Sequence, residues 1–303
     1  MKQDNNIYED EVNIKPLLLF YWKKKALIIL ITSFFAVISV IYAISLPNIY
    51  TSSALLAPAN QSKSLNPELN QISSFASLGG ITIPRGANTS RTNEAVERIK
   101  SYEFFSKYFL PNTSLENIVA VDRWNARENE IIYKEKIYNK SNGEWPKGKY
   151  SEQQAFKFYK KSLSVNIDIK TGFVNISIEH KSPIIAKGWL DTIIYNINES
   201  MRLIDIKLTK SYIEFLNSSQ KSTNIQSLKD VSSSLLESQM QTLMLASSSQ
   251  AYIFKILNSP IIPELKSKPN RAIICIAITL FGGMLSLFIV TIKYINRDSQ
   301  IDL

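Results

Sequence analysis

The residues best suited to chemistry are few. Gly143 to Lys149, GEWPKGK, has the glycine and lysine spacing of a phosphate-binding P-loop. Such a loop aims consecutive backbone amides at phosphate oxygens, and a Ser or Thr after the lysine holds magnesium. Pro146 removes one of those amides, and Tyr150 occupies the hydroxyl position. No buried strand is predicted before the loop, so a nucleotide site is not expected. His180 is the sole histidine, and Cys275, the sole cysteine, lies inside an apolar run. Those two cannot make a zinc site, and one cysteine forms no disulfide within the chain. A serine–histidine pair would have to use His180, yet no serine sits in a nucleophile elbow. A structural role is expected for it. Glu128 and Glu130 read as surface acids. The expectation is no catalytic residue, no metal, no cofactor and no enzyme.

What remains is the chemistry of contact. Thr32, Ala36, Ser39 and Ala43 recur on one face of an apolar run, and Cys275, Thr279, Gly282, Gly283 and Ser286 do likewise on another. Stripes of small residues let helix backbones approach closely in lipid, although small residues are also common in such helices for no special reason. A third stripe is larger in its side chains: Leu190, Ile194, Ile197, Met201, Ile204, Leu208, Tyr212 and Phe215. Its average step lies between a heptad and a free helix. It is the candidate seam between copies of the chain, because it is longer than one partner helix can cover. Pro260, Pro263 and Pro269 mark a stretch that cannot be helical before the second apolar run.

The elements that position these residues follow from the hydropathy. In the chain of 303 residues, two runs carry no charge, 26–46 and 272–292. At about 1.5 Å per residue, each spans a hydrocarbon core of roughly 30 Å. The first has a small-x-small triplet, Ala43 to Ser45, but it is too long and too deep in the chain for a cleaved leader, and an uncleaved anchor is expected. Lys23, Lys24 and Lys25 abut it on the N-terminal side, and no further Lys or Arg appears before Lys63. That asymmetry places 1–25 and 293–303 in the cytoplasm and 47–271 outside. Net charge is +9; the two end segments contribute +1 and 0, which leaves +8 on the middle. This is either a solvated basic surface or an attraction to anionic lipid headgroups or anionic glycans. Nucleic acid is not an expected partner on that side.

Within the middle domain, Tyr50–Pro58 reads as a strand, 60–70 as loop and 78–84 as a turn. Thr92 is expected to cap a helix reaching about Phe109. The stretch 111–149 reads as short helix alternating with loop, and 153–161 as helix. Val165, Ile167 and Ile169 alternate with polar residues; Lys170 to Gly172 turns; Val174, Ile176 and Ile178 alternate again. That is a hairpin with one apolar face. Ser182 and Pro183 open a long helix to Asn217 or beyond, 218–224 reverses, and Ile225 to Ser247 is a second helix. Ala251–Asn258 reads as strand. The fold class is therefore a membrane protein with two transmembrane helices and an α+β periplasmic domain. That domain has a membrane-proximal α/β base, from which an antiparallel helical hairpin, about 183–247, projects.

These segments together resemble the Wzz family of chain-length determinants, or polysaccharide co-polymerases. The residues that carry the resemblance are Tyr50–Pro58 after the first run, IKSYEFF from Ile99 to Phe105, Trp124 and Trp145, and LSVNIDIKTGFVNISIEHKSP from Leu163 to Pro183. QTLMLA from Gln241 to Ala246 and PIIPELKSKPNR from Pro260 to Arg271 complete the series. The hairpin is short beside long family members, and the family's glycine-rich second helix is reduced to Gly282 and Gly283. No cytoplasmic kinase is expected in the residues after the second run. The resemblance implies a non-enzymatic homo-oligomer in the bacterial inner membrane. It would act with a Wzy-type polymerase on lipid-linked glycan and set the modal length of lipopolysaccharide O-antigen. Export of exopolysaccharide or capsule is the nearest alternative; a two-span sensor or a periplasmic adaptor lies further off. The charge asymmetry yields a direct test. Reporter fusions at residue 303 and near residue 142 should report opposite sides of the membrane; a C-terminus on the outer side would remove the two-span topology.

Overall fold

A computed structural model describes residues 14–59, 87–222, 225–248 and 251–298. The chain divides into two units, Met1–Pro47 with Lys268–Leu303, and Asn48–Ser267. The expected loop at 60–70 and turn at 78–84 lie outside the described residues.

The first unit holds helices α1 (Ile14–Lys23), α2 (Lys25–Ser45) and, at the other end of the chain, Arg271–Asp298. The last two contain the predicted runs, and both are long and apolar enough to cross a membrane. Helix α1 adds to the expectation for 1–25, since its ten residues are too few to read as a span. It is held by packing: Tyr21 Oη lies 2.7 Å from Thr291 Oγ1, and the Phe20 ring meets Tyr294 edge-on at 5.3 Å.

The second unit is built on a four-stranded antiparallel sheet. β1 (Tyr50–Pro58) pairs with β5 (Val174–His180) and β6 (Phe254–Asn258), and β4 (Leu163–Ile167) flanks β5, giving the order β4-β5-β1-β6. The register sets Val165 beside Ile176 beside Ala54, and Ile167 beside Val174 beside Leu56. These apolar residues therefore share one face, as a period of two requires. The predicted β4–β5 hairpin is present, with one correction. Ile169 is 97% exposed and lies in the turn, not on the apolar face. Asp168 ends the strand early, because its carboxylate accepts from the amides of Lys170 and Thr171, and Gly172 then turns the chain at a φ of 72°.

Two more corrections concern boundaries. The helix expected from Thr92 starts by Ala87 as α3 (Ala87–Ile99), and Thr92 is buried inside it instead of capping it. It also stops at Ile99. Ser101 caps a new short turn by accepting from Phe104 N, and Phe105–Phe109 form one π-helical turn. That turn drives Phe105 and Phe109 into an aromatic cluster: Phe109 lies 4.6 Å from Tyr159 and 5.3 Å from Trp189. The stretch 111–149 contains a short helix, α4 (Leu115–Val119), as expected. It also contains an unforeseen hairpin, β2 (Val121–Asn125) with β3 (Glu130–Tyr133).

α5 (Glu152–Ser162) starts with a reciprocal cap between Ser151 and Gln154. α6 (Pro183–Ser222) opens at Ser182, whose hydroxyl accepts from Ile185 N. It runs five residues further than Asn217, so the reversal expected over 218–224 is shorter. Its late serines remain helical by donating to carbonyls one turn back, as Ser218 does to Phe215. α7 (Gln226–Ser248) returns, and Gln220 Nε2 donates to Ser233 Oγ across the pair. The final helix, Arg271–Asp298, is α8.

The first half of α6 covers the sheet. Leu190, Ile193 and Ile197 are wholly buried there. Two polar ties fix the helix to the strands. Asn198 Oδ1 accepts from the amides of Ile253 and Phe254 at 2.8 and 2.9 Å, and its Nδ2 donates to Ile194 O. Asp205 accepts from Arg91 of α3 and from Tyr252 just before β6. Asn198→Ala would strand two buried amides where β6 begins. Chemical denaturation in mild detergent should show a loss of about 2–4 kcal/mol, against at most about 0.5 for Asn166→Ala on the exposed side of β4. Equal stability of the two variants would show the tie to be dispensable.

Candidate functional site

The small-residue stripes do meet. α2 and α8 pack along their length, and Ser39, Ala43, Gly282 and Ser286 are buried between them. Thr32, Ala36, Cys275, Thr279 and Gly283 are half-buried on the same faces. The hydroxyls do not bridge the helices. Thr32 donates to Ile28 O, Ser39 to Ala36 O and Ser286 to Gly283 O, each along its own helix. Contact here is therefore van der Waals packing.

The two adjacent glycines differ. A Cβ on Gly282 would sit 2.5 Å from both Cβ and Cγ of Phe35. No rotamer change relieves that, because Phe35 Cβ is fixed to its backbone. A Cβ on Gly283 would meet only Thr32 Oγ1, at 4.0 Å. Gly282 is thus the point of closest approach, and Phe35 is the partner that the stripe of small residues hides. Its signal in the sequence is position alone, three residues beyond Thr32 on the same face.

The longer stripe divides in two. Leu190, Ile194, Ile197 and Met201 lie in the core of their own unit, so they cannot form a seam between copies. The helix expected as their sole cover is joined by the sheet, which takes this half of the stripe. Ile204 is half-buried, while Leu208, Tyr212 and Phe215 are 48%, 54% and 67% exposed. α7 leaves Val231, Leu235 and Met240 exposed as well. The far half of the helical pair thus carries uncovered apolar side chains from both helices.

Pro260 is buried, Pro263 and Pro269 are half-buried, and the segment forms no helix, as expected. It is tied to β1: Ser52 Oγ donates to Ile261 O, and Ser267 N donates to Ile49 O. His180 is buried against Trp189. Its Nδ1 accepts from Ser182 N, so Nε2 carries the proton and donates to Asn117 O at 3.0 Å. Burial pushes its pKa down to about 4 and keeps it neutral. The P-loop-like segment spends its amides locally: Gly143 N donates to Asn139 O and Gly148 N to Trp145 O. Among the described residues, no three His, Cys, Asp or Glu side chains gather as a metal would need.

Residues 10–110 match the family model described as Wzz, chain length determinant protein. That match bears out the resemblance over the first third of the chain. No curated protein matches. Among solved structures, a full-length bacterial polysaccharide co-polymerase is 13% identical over 93% of this chain and 97% of its own, with a TM-score of 0.41. A fragment of WzzB, a polysaccharide co-polymerase from Salmonella Typhimurium, is 12% identical over 73% of this chain and 100% of its own, with a TM-score of 0.31.

The contact at Gly282 generates a prediction. Gly282→Leu should insert normally but lower the stability of the detergent-solubilised chain by at least about 1–2 kcal/mol. Gly283→Ala and Leu280→Ile should be nearly silent, because the first has room and the second faces outward. Thermal unfolding of the four proteins decides it. Equal losses at 282 and 283 would contradict the assignment.

Proposed function

We propose that the chain is a chain-length determinant: a non-enzymatic regulator of polysaccharide polymerisation in the bacterial inner membrane. The observation that carries this reading is the match of residues 10–110 to the family of that name. Two helices able to cross a membrane, with the 48–267 unit between them, support it. In this reading both termini are cytoplasmic, and the sheet of the periplasmic unit stands at the membrane with α6 and α7 projecting from it.

The mechanism is one of assembly. Leu208, Tyr212 and Phe215 recur on one side of α6, and uncovered apolar stripes of that kind favour association. A homo-oligomer would bury them against the exposed residues of α7 in a neighbouring copy. The membrane helices would pack through Gly282 and Phe35 within each copy and leave their outer faces for a polymerase. The glycan is lipopolysaccharide O-antigen, extended on a lipid carrier by a Wzy-type polymerase. The regulator contributes residence and geometry, while the polymerase makes the bonds.

Deleting the gene and resolving the surface polysaccharide on a gel tests this. Length should become broad and unimodal control should vanish, while polymer is still made. Complementation with Phe215→Asp, which places a charge in the uncovered stripe, should restore protein but not length control. If deletion stopped all polymer beyond one repeat unit, an enzymatic role would have to replace this one.

A further inference from the structure

Three elements of the 48–267 unit end at one place, and each brings a lysine. Lys134 follows β3, Lys161 lies in the last turn of α5, and Lys181 follows β5. They line a cavity of about 270 Å³. One carboxylate, Glu179, and the neutral His180 are also in its wall. The remaining lining is mainly apolar and includes Ile118 and the ring of Phe158.

Lys181 is the most buried of the three lysines. Lys181 is half-buried and donates to Val121 O at 2.7 Å, so its ammonium cannot swing out to water without losing that bond. Burial and then the Lys134 ammonium push Lys181 below the ordinary lysine range, offset in part by Asp122. Among the described residues, no carboxylate lies within ion-pair distance of Lys134, Lys161 or Lys181. A half-buried ammonium with a second lysine nearby, as Lys181 has in Lys134, is costly unless an anion shares the site. The volume lies just below the usual range of small-molecule pockets, about 300–1,000 Å³, and suits one ring rather than an extended chain. A bare inorganic anion would use the lysines and gain nothing from Ile118 and Phe158. A sugar ring has an apolar C–H face for that wall and, if acidic, an anionic group for the lysines.

We propose that this cavity binds a single acidic sugar, a hexuronate or a comparable carboxylate-bearing residue, with its carboxylate among Lys134, Lys161 and Lys181 and its ring against Phe158. The assignment stands on the cavity itself and does not depend on length regulation.

Titration calorimetry on the full chain in nonionic detergent tests it with glucuronate, glucose and inorganic phosphate. Glucuronate should bind and glucose should not. Lys134→Gln and Lys161→Gln, both at exposed positions, should each weaken glucuronate about tenfold, the loss expected for one charge-assisted contact. Lys134→Arg keeps the charge and should bind within about threefold of the wild type, which separates lost charge from lost folding. Phe158→Ala should weaken glucuronate and leave phosphate unchanged. The proposal is overturned if glucuronate gives no binding at millimolar concentration. It is equally overturned if phosphate binds as tightly as glucuronate, or if the lysine-to-glutamine variants bind as the wild type does.

Discussion

The 48–267 unit depends on the covering of one apolar sheet face. β4, β5 and β1 align their inward residues in rows, and the first half of α6 lies over them with Leu190, Ile193 and Ile197. Truncating any one of these would open a cavity at a cost of about 2–5 kcal/mol. The sheet supplies no second apolar layer, so the helix cannot drift without exposing it. The buried polar groups follow from the same constraint. Asn198 satisfies two amides that the helix would otherwise seal from water, and Tyr159 donates to Ile99 O inside the aromatic cluster.

Beyond that face the same helix has a different task. α6 is 40 residues long, about 60 Å at the standard rise, which is more than a strand pair can cover. Its apolar spacing continues without a break, but past Met201 the sheet has ended, α3 reaches the helix through Arg91 at Asp205, and α7 runs alongside. One sequence pattern therefore serves two environments, an internal core and a surface that lacks a cover. The polar tie at Asp205, with Arg91 and Tyr252, stands near the passage from one to the other.

This double use explains what could be read in advance. The β4–β5 hairpin was legible because period-two alternation and a KTG turn agree, and only Ile169 fell on the wrong side of the turn. The two long helices were legible from their periodicity and from Ser182 with Pro183. Periodicity does not say which neighbour covers a stripe, so the seam from Leu190 to Phe215 was half core. The helix break at Ser101 and the π turn beyond it preserve an apolar rhythm while shifting its phase, so that region read as one helix. β2 and β3, five and four residues long, are too short to announce themselves by alternation. In the membrane helices the small-residue faces were legible, but the distinction between Gly282 and Gly283 was not. It depends on where the ring of Phe35 lies, which no spacing rule contains.

The strand order has a consequence for the timing of folding. β1 is the first strand made and occupies an inner position, while β6, one of its two partners, is the last. About two hundred residues separate them in the chain. During synthesis β1 can pair on one side once β5 emerges, but its other edge stays open until Phe254–Asn258 has been translated. Sheet closure is therefore a late, long-range event, and such events slow folding and prolong the exposure of unpaired strand edges. A nascent chain stalled within α7 would present both an open β1 edge and an α6 still without its ties to Tyr252, Ile253 and Phe254, a form suited to recognition by quality-control proteases.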